Sequence, residues 1–354
     1  MAATLRSRLP EDVVVIGAGV SGLALARELQ AHGRSPIVLE RSRGVGGRCA
    51  TRRIDGQPVD HGIACIHGRS RRFLAELDRV SDIALVPQWP SLTVGDGTPC
   101  RPEAFETRDR RVAFGAGVNR FAKHLAAGLN IRTEAEVTTL RLLDPGSTAR
   151  SAWELTMATG DIVRCEHVAL TMPAPAVAAL LRQMAPPPQA IAGVLPLIDL
   201  VRTLPCLTVI ARYPDGTASP SWQASFPRTS PVLQTIFHDS SKRECGSRLT
   251  LVIQARAAFS RAHLKEPVES WTRAMIESAA ALHGDWIAAP DLVQSHSWSR
   301  ARVNAGSELT RPLTVTLGDG ALLGIAGDGF HAAGGIEGAY LSGIALAERF
   351  IAHR

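Results

Sequence analysis

Lysine is nearly absent from this chain. Only Lys123, Lys242 and Lys265 occur among 354 residues, so the net charge of +6 is carried almost wholly by arginine. Tyrosine is scarcer still, at Tyr213 and Tyr340, and aromatic residues make up 5% of the sequence. A nucleic-acid interface needs concentrated cations interleaved with aromatics. Here the arginines are dispersed, with local pairs only at Arg52-Arg53, Arg71-Arg72 and Arg110-Arg111, so nucleic acid is not an expected partner. A dispersed basic surface suits attraction of a small anionic substrate instead. The six cysteines, Cys49, Cys65, Cys100, Cys165, Cys206 and Cys245, form no CxxC and no zinc-like spacing. They read as free thiols of a reducing cytoplasm. No apolar run reaches the roughly 18–20 residues that span a bilayer, and the first ten residues lack a signal-peptide core. A cytoplasmic protein without a membrane partner is therefore expected. No metal-ligand cluster, nucleophile elbow or paired-carboxylate motif is apparent, and no metal is expected.

What is present begins at Val13. Val13-Val14-Val15-Ile16 is a short β-branched apolar run, the pattern of a buried strand. Gly17-Ala18-Gly19-Val20-Ser21-Gly22 follows directly, then a helical pattern from Leu23 to His32 that Gly33 ends. Ile37-Val38-Leu39 reads as a second strand, and Glu40 closes it. Each part has a chemical reason. Gly17 permits a tight turn, Gly19 lets backbone approach a pyrophosphate, and Gly22 lets helix and strand pack closely. The helix N-terminus offers N–H groups, Val20 and Ser21 included, to the phosphates. Glu40 is placed to accept hydrogen bonds from the ribose hydroxyls, with Arg41 beside it. This is a dinucleotide-binding βαβ unit. By itself it does not separate NAD from FAD.

The next residues do. Gly44-Val45-Gly46-Gly47-Arg48-Cys49-Ala50-Thr51 resembles the second signature of the glutathione-reductase-type FAD proteins, in its amine-oxidase-like form Gly-Gly-Arg-x-x-Thr/Ser. Gly46, Gly47 and Arg48 would form a second clamp on the pyrophosphate. Asp60-His61-Gly62 narrows the resemblance to the renalase-like branch of the flavin amine-oxidase superfamily. In that branch Ala-Gln-Tyr-Phe typically follows; here Ile63-Ala64-Cys65-Ile66-His67 stands instead, which implies an altered substrate pocket. The resemblance makes His61 and Gly62 flavin-side residues and Val137 an adenine contact, within a strand read over 131–137. At the far end, Leu323 to Asp328 reads as a strand ending in Gly327-Asp328. Gly334-Gly335-Ile336 then opens a helix running to Ile351. In the resembling proteins that Asp holds the ribityl or pyrophosphate part, and the helix N-terminus, here Gly335 and Ile336, points at the flavin, where its dipole favours the reduced form.

The expected fold is α/β: a Rossmann-type FAD-binding domain with an inserted α+β substrate domain built on an antiparallel sheet. The FAD-binding domain is expected over 1–80, 112–175 and 312–354, and the substrate domain over 81–111 and 176–311. Turns are expected at Asp144-Pro145-Gly146 and Thr159-Gly160-Asp161, and a loop at Pro186-Pro187-Pro188.

The resemblance implies FAD as cofactor and hydride transfer from a small donor, such as a dihydronicotinamide isomer or dinucleotide, to FAD and then to O2, giving H2O2. Such a donor becomes aromatic on losing hydride and needs no strong base. Amine oxidases of the superfamily use a lysine near the flavin and a pair of aromatics, and a chain this poor in both argues against that mechanism. An amine oxidase or desaturase-type flavin dehydrogenase on a specialised metabolite is the alternative. A flavin-holding protein without turnover and an NAD-dependent dehydrogenase stand behind it. The candidate catalytic residues are His331, His238 and Arg300, with His67, Trp222, Lys242 and Trp298 as further pocket candidates. The oligomeric expectation is monomer or homodimer.

Overall fold

A computed structural model describes residues 11–80, 85–95, 98–99, 109–143, 153–184, 187–243, 247–317 and 320–353. The chain divides into two compact units, one of residues 1–47, 125–202 and 303–354, the other of 48–124 and 203–302. These bounds differ from those expected. Residues 48–80 and 112–124 belong to the second unit rather than the first, and 176–202 and 303–311 belong to the first. The reason is pairing. The hairpin Thr51–Ile54/Gln57–Asp60 turns on Asp55 and Gly56, both at positive φ, and its partners lie in the second unit.

In the first unit, five strands run parallel, in the order Asn130–Arg132, Ile37–Leu39, Glu11–Ile16, Ile162–Leu170 and Ala321–Ile325. The long strand Ile162–Leu170 pairs with Glu11–Ile16 on one side and serves two neighbours on the other. Its first half pairs antiparallel with Trp153–Met157, and its second half pairs parallel with Ala321–Ile325. Val137–Leu142 and Leu313–Leu317 add antiparallel strands at the sides. Residues 13–16, 37–39, 168–170 and 321–325 are buried, hence their apolar runs. The register aligns Ile16 with Leu39 and with Leu170, and Leu170 with Ile325. The carboxyl ends of these strands therefore meet at one edge of the sheet. The segment expected as one strand over 131–137 is two, broken where Glu134 takes φ 55°.

The helix Val20–Ala31 packs on the C-terminal helix Gly335–Ala352 with almost no gap. A Cβ on Gly343 would lie 2.2 Å from the Ser21 carbonyl oxygen, so only glycine fits there. Gly22 is as tightly fixed, with a Cβ position 2.0 Å from the Gly17 carbonyl oxygen. The expected turn at Thr159-Gly160-Asp161 is present, with Gly160 at φ 88°. Asp144-Pro145-Gly146 and Pro186 lie outside the described residues.

The second unit is built on a seven-stranded sheet. Its long members Leu292–Val303, Thr203–Arg212, Thr250–Ala255 and Leu233–His238 are followed by shorter edge pieces. The helices Ala257–His263 and Val268–His283 cover one face around Trp271, Met275 and Tyr213. Four charges lie in its interior. Lys242 Nζ donates to Asp60 Oδ2 at 2.7 Å, to Asp239 Oδ1 at 2.8 Å and to the Ala64 carbonyl at 2.6 Å. Arg243 spans the same two carboxylates at 2.9 and 2.7 Å. Thr51 Oγ1 and the Val118 N–H complete the shell of Asp60. Burial opposes ionisation of Asp60, but Lys242 and Arg243 hold its pKa below the usual carboxylate value.

The four described cysteines, Cys49, Cys65, Cys165 and Cys206, are free buried thiols, and burial pushes the Cys65 thiol up to about 11. No helix among the described residues is long and apolar enough to cross a membrane.

Removing one member of the buried charge cluster leaves the others uncompensated. Lys242→Met is expected to lower unfolding free energy by about 3–5 kcal/mol. Asp199→Ala, which breaks a half-exposed ion pair with Arg182, is expected to cost about 1 kcal/mol or less. Denaturant titration of the two variants checks the contrast.

Candidate functional site

The aligned strand ends of the first unit carry the glycine loop, the acid and the C-terminal anchor. Gly17, at φ 107°, leaves the strand Glu11–Ile16, and its N–H donates to the Leu39 carbonyl at 2.8 Å. Thr171 Oγ1 donates toward the Ile16 and Gly17 carbonyls, each at 2.9 Å, fixing the loop from below. Gly19 caps the helix Val20–Ala31 without a side-chain hydrogen bond, and a Cβ there would meet nothing within 4 Å. Glu40 is buried. Its Oε2 accepts the Ala18 N–H and its Oε1 the Ser42 N–H, both at 2.8 Å, so the carboxylate is oriented by backbone with lone pairs to spare.

The second glycine pair docks on the first loop. Gly46 bridges to Gly19, and its N–H donates to the Ala18 carbonyl at 2.8 Å. Gly46 and Gly47 both take positive φ, 110° and 55°. On the other side, Gly327 takes φ 154° beyond Ala321–Ile325. The Ser342 hydroxyl pins it, accepting the Gly327 N–H at 3.0 Å and donating to its carbonyl at 2.8 Å. Asp328 is buried directly after it. Gly334, at φ 58°, caps the helix Gly335–Ala352, again without a side-chain hydrogen bond. Two helix N-termini, free of side-chain caps, thus belong to one sheet edge beside an oriented carboxylate. This donor set suits a diphosphate carrying a ribose.

The second unit holds a different group. His61 is 7% exposed, and its Nδ1 is buried without a hydrogen-bond partner. Its ring meets His296 edge-on at 5.2 Å and Trp298 at 5.5 Å, and the Trp298 indole N–H donates to the His61 carbonyl at 3.1 Å. Burial, and then Arg52, lower the His61 pKa to about 4, so the imidazole is neutral.

A sequence profile of the NAD(P)-binding Rossmann-like domain matches residues 15–77. One of the flavin containing amine oxidoreductases matches residues 103–351. The chain belongs to the flavin containing amine oxidoreductase family. It is similar to nicotine dehydrogenase of Pseudomonas putida, 36% identical over 78 residues, covering 22% of this chain and 16% of that protein. It is also similar to putrescine oxidase of Kocuria rosea, 40% identical over 72 residues, covering 20% and 15%. Each aligned stretch thus spans less than a fifth of the relative's own length. A solved putrescine oxidase with bound putrescine is 16% identical and covers 97% of this chain and 99% of that one, with a TM-score of 0.71. The shared fold is that of a flavoenzyme.

The family's cofactor is a flavin, and the first unit fits it. The cradle at Gly19 is open where backbone must approach a pyrophosphate, while Gly22, three residues on, is closed by packing. Gly17, Gly19, Val20, Ser21, Gly22, Glu40, Gly46, Gly47, Gly327, Asp328, Gly335 and Ile336 all belong to this unit, with Arg41 exposed beside Glu40 and Val137 opening its strand. Arg48, His61 and Gly62 belong to the second unit. There Gly62 has a packing reason of its own, since a Cβ would lie 2.0 Å from the Arg48 carbonyl oxygen.

The catalytic candidates are scattered. His331 is in the first unit, half-buried, its Nδ1 accepting the Ala333 N–H at 3.1 Å. His238 and Arg300 are in the second. His238 is buried against Trp222, and burial lowers its pKa. Arg300 lies on the strand Leu292–Val303. No hydrogen bond or ring contact among the described residues joins His238 to Arg300. His67 is partly exposed and paired with Asp109 at 3.7 Å. Lys242 is a correction: it is sealed in the ion cluster rather than lining a pocket. Thr171 and Ser342, which brace the two glycine turns, were overlooked in the sequence, because a hydroxyl's partner carbonyl has no sequence signature.

Asp12, Glu166 and His167 lie close enough to share a metal ion. The donor set does not fit one. His167 Nδ1 already accepts the Leu322 N–H at 3.1 Å, so its remaining nitrogen carries the proton, and Arg34 is paired to Asp12.

Gly19→Ala is expected to preserve the melting temperature within about 2 °C while weakening FAD binding at least about tenfold. Gly22→Ala is expected to lower soluble, folded yield. Calorimetry with FAD titration separates the two. His61 and His167 are both held near 4, against an ordinary 6.5, by burial first and by Arg52 and Arg34 second. On acidification the unfolded chain takes up these protons first. Their contribution is therefore complete above pH 6.5 and is lost as pH falls toward 4, by up to about 1.4 kcal/mol per pH unit for each group. Denaturant unfolding across that range measures the slope.

Proposed function

We propose that the chain is an FAD-dependent oxidoreductase that removes a hydride from a small amine donor, with O2 as the final acceptor and H2O2 as product. The observation that carries the reading is the braced pair of glycine loops over Glu40 at the strand ends of the first unit. Membership of the amine oxidoreductase family supports the donor class, as do the oxidase and dehydrogenase among its relatives.

The chemistry that a bound flavin would supply is hydride acceptance and onward electron transfer to oxygen. The chain's own residues bind and orient. Glu40, held by two backbone N–H groups, accepts from the ribose hydroxyls. The N–H groups at Val20, Ser21 and Gly22, with Gly46 and Gly47, would cradle the diphosphate. Asp328 holds the ribityl end, and the N-terminus at Gly335 and Ile336 favours negative charge on the reduced ring. Val137 packs against the adenine. His331 Nδ1 accepts from Ala333, which leaves Nε2 as the ring's donor atom beside the anchor. A donor amine reacts only as the free base, since its lone pair assists hydride loss.

A dihydronicotinamide isomer as donor is a second reading, favoured by the lysine inventory. Lys242 is enclosed in the ion cluster, and Lys123 and Lys265 lie on the surface. A donor that gains aromaticity needs no base.

Anaerobic addition of an amine panel, and separately of dihydronicotinamide isomers, tests both. Rapid bleaching of the visible flavin absorption by an amine, with stoichiometric peroxide on readmitting air, is the expected outcome. Bleaching only by the dihydronicotinamides would select the second reading. A flavin that dithionite reduces but no donor does would mark a non-catalytic flavin protein.

A further inference from the structure

The second unit carries a surface that the redox chemistry does not account for. Along Leu292–Val303 the side chains alternate between faces, and Gln294, His296, Trp298, Arg300 and Arg302 share one of them. Arg52 donates to Gln294 Oε1 at 2.8 Å at one end of this row. His296 and Trp298 stand 4.2 Å apart at 63°, with the His61 ring against both. The cluster lies on a partly open edge strand. His61 supplies a buried, unpartnered ring nitrogen to the same cluster. One step past Trp298, the half-buried Arg300 has no hydrogen bond or ion pair among the described residues.

The charges nearby decide what such a face accepts. Arg52 acts on both imidazoles. The carboxylate nearest His61 is Asp60, which Lys242 and Arg243 already neutralise. Among the described residues Asp60 is the one carboxylate acting on His61 and none acts on His296, so the second ammonium of a diamine would meet cations there. A flat ring would find the partly exposed His296 imidazole and Trp298 indole to stack on, backed by the buried His61, and an anionic substituent would find Arg300.

We propose that the His61–His296–Trp298 face, with Arg300 at its end, is a specificity surface that binds a planar aromatic ring bearing an anionic group, and disfavours an aliphatic diamine. This rests on the oxidoreductase reading only in identifying that ring with the donor; the binding claim stands apart from turnover.

Nicotinate, a flat heteroaromatic anion that is no hydride donor, is the probe, titrated calorimetrically into the FAD-loaded protein under anaerobic conditions beside nicotinamide and putrescine. Saturable nicotinate binding, at least about tenfold tighter than putrescine, is the expected result. Trp298→Leu should weaken nicotinate about tenfold and Trp298→Phe much less. His61→Leu should weaken it similarly, with His61→Asn retaining most of it. Arg300→Gln should weaken nicotinate while leaving nicotinamide unchanged, which a general loss of structure would not do. Putrescine binding more tightly than nicotinate, no saturable nicotinate binding, or nicotinate affinity within about twofold of wild type in Trp298→Leu and Arg300→Gln would each overturn the proposal. Failure of the flavin to bleach with any donor would undercut the oxidase reading and leave this result as it stands.

Discussion

Parallel register is the constraint on which the candidate site depends. Because Ile16, Leu39, Leu170 and Ile325 lie side by side, every loop leaving those strands starts from the same edge. Gly17, Glu40, Thr171 and Gly327 are brought together by that fact, and the hydrogen bond from Thr171 to the Gly17 carbonyl then fastens two of them. Two segments from opposite ends of the sequence can then share a task. The crossing of Val20–Ala31 with Gly335–Ala352 locks the arrangement, since Ser21 and Gly343 leave no room for a side chain between them. Ser342 continues the lock by holding both backbone polar groups of Gly327.

The two units solve different electrostatic problems. The first gathers partial charges: N–H groups at helix ends, a carboxylate bound by backbone, and glycines that expose the main chain. Such a site attracts anions without burying a full cation. The second buries four full charges and balances them internally through Lys242, Arg243, Asp60 and Asp239. That balance takes up Asp60, the one carboxylate among the described residues that acts on His61. The scarcity of lysine and the locked position of Lys242 are thus one fact seen twice. The residue that looked free in the sequence is the one most completely committed to structure.

Much of the first unit was legible because glycine requirements are local. Gly17, Gly19 and Gly22 each answer to a backbone geometry that a few neighbouring residues define, and Glu40 follows at a spacing the strand and helix impose. The long-range braces were not legible. Thr171 and Ser342 act on carbonyls 154 and 15 residues away, and nothing in their immediate sequence marks them. The unit bounds were misread for a related reason. Residues 48–80 follow the glycine loop in sequence, yet their hydrogen bonds and hydrophobic contacts, Thr51 with Asp60 or Val59 with Ile210, lie with the second unit. The aromatic cluster was only half visible. The alternation around Trp298 could be read from the strand, but the placing of His61 against it depends on a contact across 237 residues.

The central claim is that the strand-end cradle of the first unit holds FAD. The most direct measurement is the visible absorption spectrum of the purified chain, with the released cofactor quantified after denaturation. An oxidised flavin spectrum with about one FAD per chain is the result predicted. A colourless protein that takes up no FAD on reconstitution would contradict it.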